Sequence, residues 1–186
     1  MPALAQPDQL GAFMQEPIAD GDPSAVLILA VASDMVRDVL QLQVDAVPGD
    51  VVLLEPIDGV FILLPELPVT AVTRVETFDG TTWTTADPAT YTVSKRLGVI
   101  TALPNTGVQW PTNPETWRVT YDHGFAEIPM SIVGAVLGAA AREWSAPNGI
   151  DSERIGGYQV KYSMEAAGFS ALEMKALARY VNPRIA

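Results

Sequence analysis

The feature that most constrains this chain is a change of hydrophobic period, made twice. From Pro23 to Gln43 apolar or small residues recur at helical spacing, through Val26, Leu29, Ala30, Ser33, Val36, Val39 and Leu40, with Val44 just beyond. From about residue 50 to 123 the period becomes two, in short runs separated by turn residues. From 129 to 146 the helical pattern returns, and nearly every position from Ile132 to Ala141 is apolar or small. Periods of 3.6, then 2, then 3.6 exclude an all-α and an all-β fold. The order predicts an α+β fold: a helical domain with a long N-terminal helix, a central buried helix and a C-terminal helix, carrying an inserted small antiparallel β unit.

Local signals place the elements. Pro7 or Asp8 starts a short helix with Leu10, Phe13 and Met14 on one apolar face, and Glu16-Pro17 ends it. Asp22 is placed to cap the long helix, with Pro23 at its first position, where a missing N–H costs nothing. Arg37 and Asp34 are spaced to pair on its polar side. The β-rich runs are 51–54, 60–64, 69–78, 83–85, 91–93, 98–100 and 117–121. Within them, Val72, Arg74, Glu76 and Phe78 are expected on one face. Asp79-Gly80 signals a tight hairpin turn, and prolines at 65, 68, 88, 104, 111 and 114 limit strand length.

Pro129 opens the central helix. Gly134 and Gly138 face one side of it, where they predict close packing against the long N-terminal helix. A polar loop over 145–157 leads to Tyr158, Val160 and Tyr162, which alternate as a strand. The same alternation fits an extended arm. Ser170 and Glu173 form a capping box for the last helix, which Asn182-Pro183 ends. The chain is thus divided into helices over 1–48, a β unit over 50–123, a core helix over 129–146, a flexible loop and arm over 147–169, and a C-terminal helix and tail over 170–186, all within a single domain, 1–186.

Composition narrows the chemistry. Acids outnumber bases 22 to 11, for a net charge of −11. The imbalance lies in residues 1–117, with 15 acids and 4 bases; residues 118–186 hold seven of each. Such a chain repels phosphate backbones, which argues against wrapping DNA or RNA. It has no cysteine, so disulfides, thiol catalysis and cysteine metal sites are excluded. The single histidine, His123, follows Asp122 on a strand, where neighbours point to opposite faces, so the two do not make a catalytic pair. Asp20-Gly21-Asp22 looks like part of a calcium loop, but the twelfth position is Val31 rather than Glu. No phosphate-binding loop or nucleophile elbow occurs. The expectation is no enzyme, no metal and no cofactor.

The N-terminus lacks the basic and apolar regions of a secretory signal, and the apolar run 128–141 is too short to span a bilayer. Of four tryptophans, Trp117 and Trp144 read as core. A non-enzymatic β-type ligand-binding module using Trp83 or Trp110 is the competing class.

Four stretches, taken in order, resemble the head-to-tail adaptor (connector) proteins of long-tailed phages, especially those of actinobacterial hosts. They are the opening Asp8–Phe13 segment with the long helix after it; the Phe61 to Val75 stretch, with its Leu64-Pro65-Glu66-Leu67-Pro68-Val69-Thr70-Ala71-Val72 run; Trp117 to Phe125 with the helix ending Arg142-Glu143-Trp144; and Ser152 to Ser163 with the helix Ser170–Tyr180. The resemblance implies a structural virion protein at the head–tail interface, assembled in the host cytoplasm. It implies a ring, typically of twelve copies, that binds the portal protein on one side and a head-closure (stopper) or tail protein on the other. DNA would pass through the channel without specific binding. Arg179, Tyr180, Asn182 and Arg184 are then candidate portal contacts, and Tyr158, Val160 and Tyr162 a candidate arm between subunits. Another head-completion or tail-completion protein is the nearest alternative.

Overall fold

A computed structural model describes residues 2–57, 60–104, 106, 110–145, 152–155, 158–161 and 168–181. The chain divides into two compact units, Leu42–Ala126 and a second made of Met1–Gln41 with Glu127–Ala186.

Among the described residues, the first unit holds seven strands: β1 (Val47–Leu54), β2 (Phe61–Leu63), β3 (Val69–Phe78), β4 (Trp83–Thr85), β5 (Tyr91–Ser94), β6 (Val99–Ala102) and β7 (Trp117–His123). They form a four-stranded antiparallel sheet in the order β1-β7-β3-β4 and a three-stranded one in the order β2-β6-β5. On β7 burial alternates strictly, so Trp117, Val119, Tyr121 and His123 point inward. Val75, Trp117, Val119 and Tyr121 share one core with Ile62, Leu64, Ile100 and Ala102 of the other sheet. Trp110 stacks on Trp117, their rings 4.5 Å apart.

The proline-rich stretch between β2 and β3 carries the chain from one sheet to the other, and its backbone is tied down on the way. Tyr121 accepts a hydrogen bond at its hydroxyl from the Glu66 N–H (3.3 Å), and the Pro68 carbonyl accepts one from Gly124 N–H (3.0 Å). Gly124 has φ of 82°, and a Cβ there would fall on the Asp45 carbonyl, so both the conformation and the space demand glycine.

The second unit contains α1 (Pro7–Met14), α2 (Pro23–Leu40), α3 (Met130–Ser145) and α4 (Ala171–Leu177), with a two-stranded hairpin of β8 (Ser152–Ile155) and β9 (Tyr158–Lys161). Asp22 caps α2, its carboxylate accepting from Ser24 and Ala25 N–H. The apolar face of α2 buries Ala25, Leu29, Ala32, Val36 and Leu40, and α3 buries Ile132, Val133, Val136 and Ala140. No described helix is long and apolar enough to cross a membrane.

Several expectations are corrected. The fold is not a helical domain with a small β insert. Two sheets of seven strands form a unit with its own core, because the short proline-punctuated runs pack face to face rather than as one modest hairpin layer. Arg37 is not on a solvent face. It is 8% exposed and donates to the Pro2 carbonyl as well as pairing with Asp34 at 2.9 Å. The register of β3 shifts between Val72 and Arg74, so Val72 packs on the core while Arg74 and Glu76 lie on the outer face. The turn after β3 is a four-residue loop closed by Phe78 and Trp83, not a two-residue turn. Asp79 organises it by accepting from the N–H and hydroxyl of both Thr81 and Thr82, which hold its carboxyl far below the usual range. Finally, the predicted loop over 145–157 contains a strand, β8.

Candidate functional site

Among the described residues no group of three or more His, Asp and Glu side chains could hold a metal ion. His123 is buried at the end of β7. Its Nε2 lies 3.3 Å from Asp50 Oδ2, not near Asp122. Asp122 instead accepts from Gly49 N–H (2.7 Å), so the two residues brace the bulge of β1 from either side. Trp83 and Trp110, the two candidates for a ligand-binding module, lie in different surroundings. Trp110 belongs to the inner core with Trp117 and Tyr91, and Trp83 packs beside Phe78 on the outer face.

Two built surfaces stand out instead. The first is the outer face of the four-stranded sheet. Antiparallel register places Leu53, Arg118, Glu76 and Thr85 in one cross-strand row, and Val51, Thr120 and Arg74 in the next. Arg118 donates from Nε and NH2 to the two Glu76 carboxylate oxygens, each at 2.8 Å, and its guanidinium lies 4.5 Å from the centre of the Trp83 ring. The Arg118 hydrogen bonds pull the Glu76 carboxyl below its ordinary value against the opposing effect of burial. Beside this pair, on the edge strand, Val51 and Leu53 are more than half exposed. A face of aliphatic, aromatic and arginine side chains suits protein contact.

The second is the helix α4 on its seat. Ser170 and Glu173 form the expected capping box. Glu173 also receives both terminal nitrogens of Arg142 on α3, at 3.1 and 2.8 Å, and Arg142 NH2 donates to the Gly168 carbonyl as well. Burial pushes the Glu173 carboxyl up, but the bonds from Arg142 and Ser170 outweigh it and hold it below its ordinary value. Gly138 serves this contact, since a Cβ there would fall on the Glu173 carboxylate, whereas Gly134 faces open space. The close approach permitted by glycine is thus used by α4, not by α2.

Leu177 is the buried face of α4, while Leu172 is 78% exposed and Lys175 and Arg179 are exposed beside it. Of the candidate portal contacts, Arg179 is open to a partner. The Tyr180 hydroxyl is 3.0 Å from Ser131 Oγ of α3. Asn182 and Arg184 lie outside the described residues. Of the candidate arm, the backbones of Tyr158 and Val160 pair with Ile155 and Glu153 of the same chain, and Tyr162 lies outside the described residues. The sequence offered no signal for the Glu76–Arg118 or Arg142–Glu173 pairs, whose partners are 42 and 31 residues apart.

No family model matches the chain, and no curated protein matches it by sequence. Solved structures do. A chain in the neck of an empty gene transfer agent (GTA) particle, computed with C6 symmetry, aligns with a TM-score of 0.54 at 19% identity, covering 93% of this chain and 87% of that one. A chain in the neck of the native GTA particle, computed with C12 symmetry, aligns with a TM-score of 0.53 at 19% identity, covering 86% and 82%. The fold of this chain is therefore one also found in the necks of GTA particles.

Proposed function

We propose that this chain is a structural, non-enzymatic subunit of the neck of a phage-like particle. Within that class, the particular role is a head-to-tail adaptor. Its copies form a ring that docks on the portal protein, extends the DNA channel, and presents its far side to a head-closure or tail protein. The observation that carries the reading is the fold, shared over more than four-fifths of both chains with chains from particle necks solved under C12 and C6 symmetry. The order of sequence segments supports it independently.

The charge fits the same role. A twelvefold ring would carry about −130, twelve times the −11 of one copy. Carboxylates along a channel wall would repel DNA phosphates and let the duplex slide without binding. For the portal, Arg179, Tyr180, Asn182 and Arg184 are the candidate contacts. A chain truncated after Val181 should keep its fold but dock more weakly on the portal; unchanged docking would reject the contacts at Asn182 and Arg184.

The test of place is direct. With an epitope tag on this chain, gold label on purified particles should fall at the head–tail junction. Label over the capsid shell or the distal tail would overturn the reading.

A further inference from the structure

Two exposed helix stripes in the helical unit have matching patterns and opposite charge. On α2, Leu27, Val31, Asp34 and Asp38 follow each other at spacings of four, three and four, so they lie along one line of the helix. Leu27 is 64% and Val31 53% exposed, and Asp34 and Asp38 are exposed beyond them. Asp34 also pairs with Arg37 of its own helix. On α4 and the turn that continues it, Leu172, Lys175 and Arg179 form a line of the same kind. Each stripe thus begins apolar at its N-terminal end and finishes charged, acidic on α2 and basic on α4.

The spacings correspond. At about 1.5 Å rise per residue, Leu172 and Arg179 are separated by roughly 10 Å. The same rise separates the midpoint of Leu27 and Val31 from the midpoint of Asp34 and Asp38 by a similar length. Laid parallel, the two stripes bring Leu172 between Leu27 and Val31, with Lys175 and Arg179 against the two carboxylates. Both stripes are exposed in the same copy, so neither covers the other there.

We propose that α4 of one copy docks in parallel on α2 of the next. The contact joins two different surfaces of the same chain, so it passes from copy to copy as a closed ring requires. The occupant is a second copy because the chain itself carries both halves of the match. This inference rests on the ring reading above and assigns Arg179 to the contact between copies.

The test uses the charge pattern and the absence of cysteine. Particle mass is measured in solution, with and without the portal protein of the same particle, for the wild type, for Asp38→Lys, for Lys175→Glu with Arg179→Glu, and for the three changes combined. Each charge variant should raise the concentration needed for assembly at least tenfold, and the combination should restore most of it. High salt should weaken wild-type assembly. In parallel, Val31→Cys and Leu172→Cys chains are mixed under oxidising conditions; a disulfide-linked pair should form, while either variant alone should not give it. Wild-type rings that are indifferent to these charges and give no linked pair would overturn this interface and leave the ring reading standing. A wild type that stays monomeric with and without portal would overturn both.

Discussion

The β unit and the helical unit are held together in different ways. In the β unit, long antiparallel pairings between β1, β7 and β3, interrupted by bulges, surround one apolar core, and Trp117 and Tyr121 are fully buried in it. In the helical unit, helix packing is supplemented by side chains that grip backbone or cross between elements. Ser33 Oγ accepts from Leu4 N–H, Arg37 holds the Pro2 carbonyl, and Arg142 holds both Glu173 and the Gly168 carbonyl. The first arrangement resists change. The second fixes small elements such as α4, only seven residues long, in a set orientation with their outer faces free.

The largest single effects are expected in the β core. Trp117→Ala should cost about 3–5 kcal/mol, from lost burial and the cavity left beside Trp110, read as a large fall in the denaturant midpoint. Gly124→Ala should cost about 3 kcal/mol, since the new Cβ meets the Asp45 carbonyl and the positive φ disfavours any side chain.

In the helical unit, Glu173→Ala should cost about 2 kcal/mol through the lost cap and the stranded Arg142. Hydrogen exchange should then show faster opening of α4 while the β strands keep their protection.

Acid should sharpen the contrast. The Glu76 and Glu173 carboxyls are both lowered in the folded chain, so each contributes stability that is full above the ordinary carboxylate range and lost as pH falls through the lowered folded values. Below about pH 4, α4 should loosen, and a Glu173→Gln chain should have lost that part of the acid dependence while keeping the part due to Glu76. The smallest effect is expected at the exposed Leu53. Leu53→Ser should leave the melting temperature within about a degree or two, in keeping with an effect within about 0.5 kcal/mol at a surface site.

Much of the local structure was legible in the sequence because its causes are local. Asp22 and the Ser170–Glu173 box act within a turn or two, and the runs 69–78 and 83–85 coincide with β3 and β4. What was not legible depends on partners far along the chain. Arg37 looks polar and therefore exposed until the Pro2 carbonyl is brought over it from 35 residues away. Gly138 signals close approach without naming what approaches. The size of the β unit was underestimated because prolines limit the length of strands, and the number of strands that share a core is a separate matter. The outer-face cluster of Arg118, Glu76 and Trp83 follows from register, which β3 sets with two shifts that no period predicts. The likeness to phage adaptors rested on the order of segments; the fold observed is one also found in particle-neck chains, but it is not the helical domain with a small β insert that was expected.

The central claim is that this chain works as a ring in the neck of a particle. The most direct measurement is the mass of the purified protein by light scattering, alone and mixed with the portal protein of its own particle. The claim predicts a mass several times 19.9 kDa, either for the protein by itself or as copies added to the portal in the mixture. A protein that remains at the mass of one chain in both conditions would contradict it.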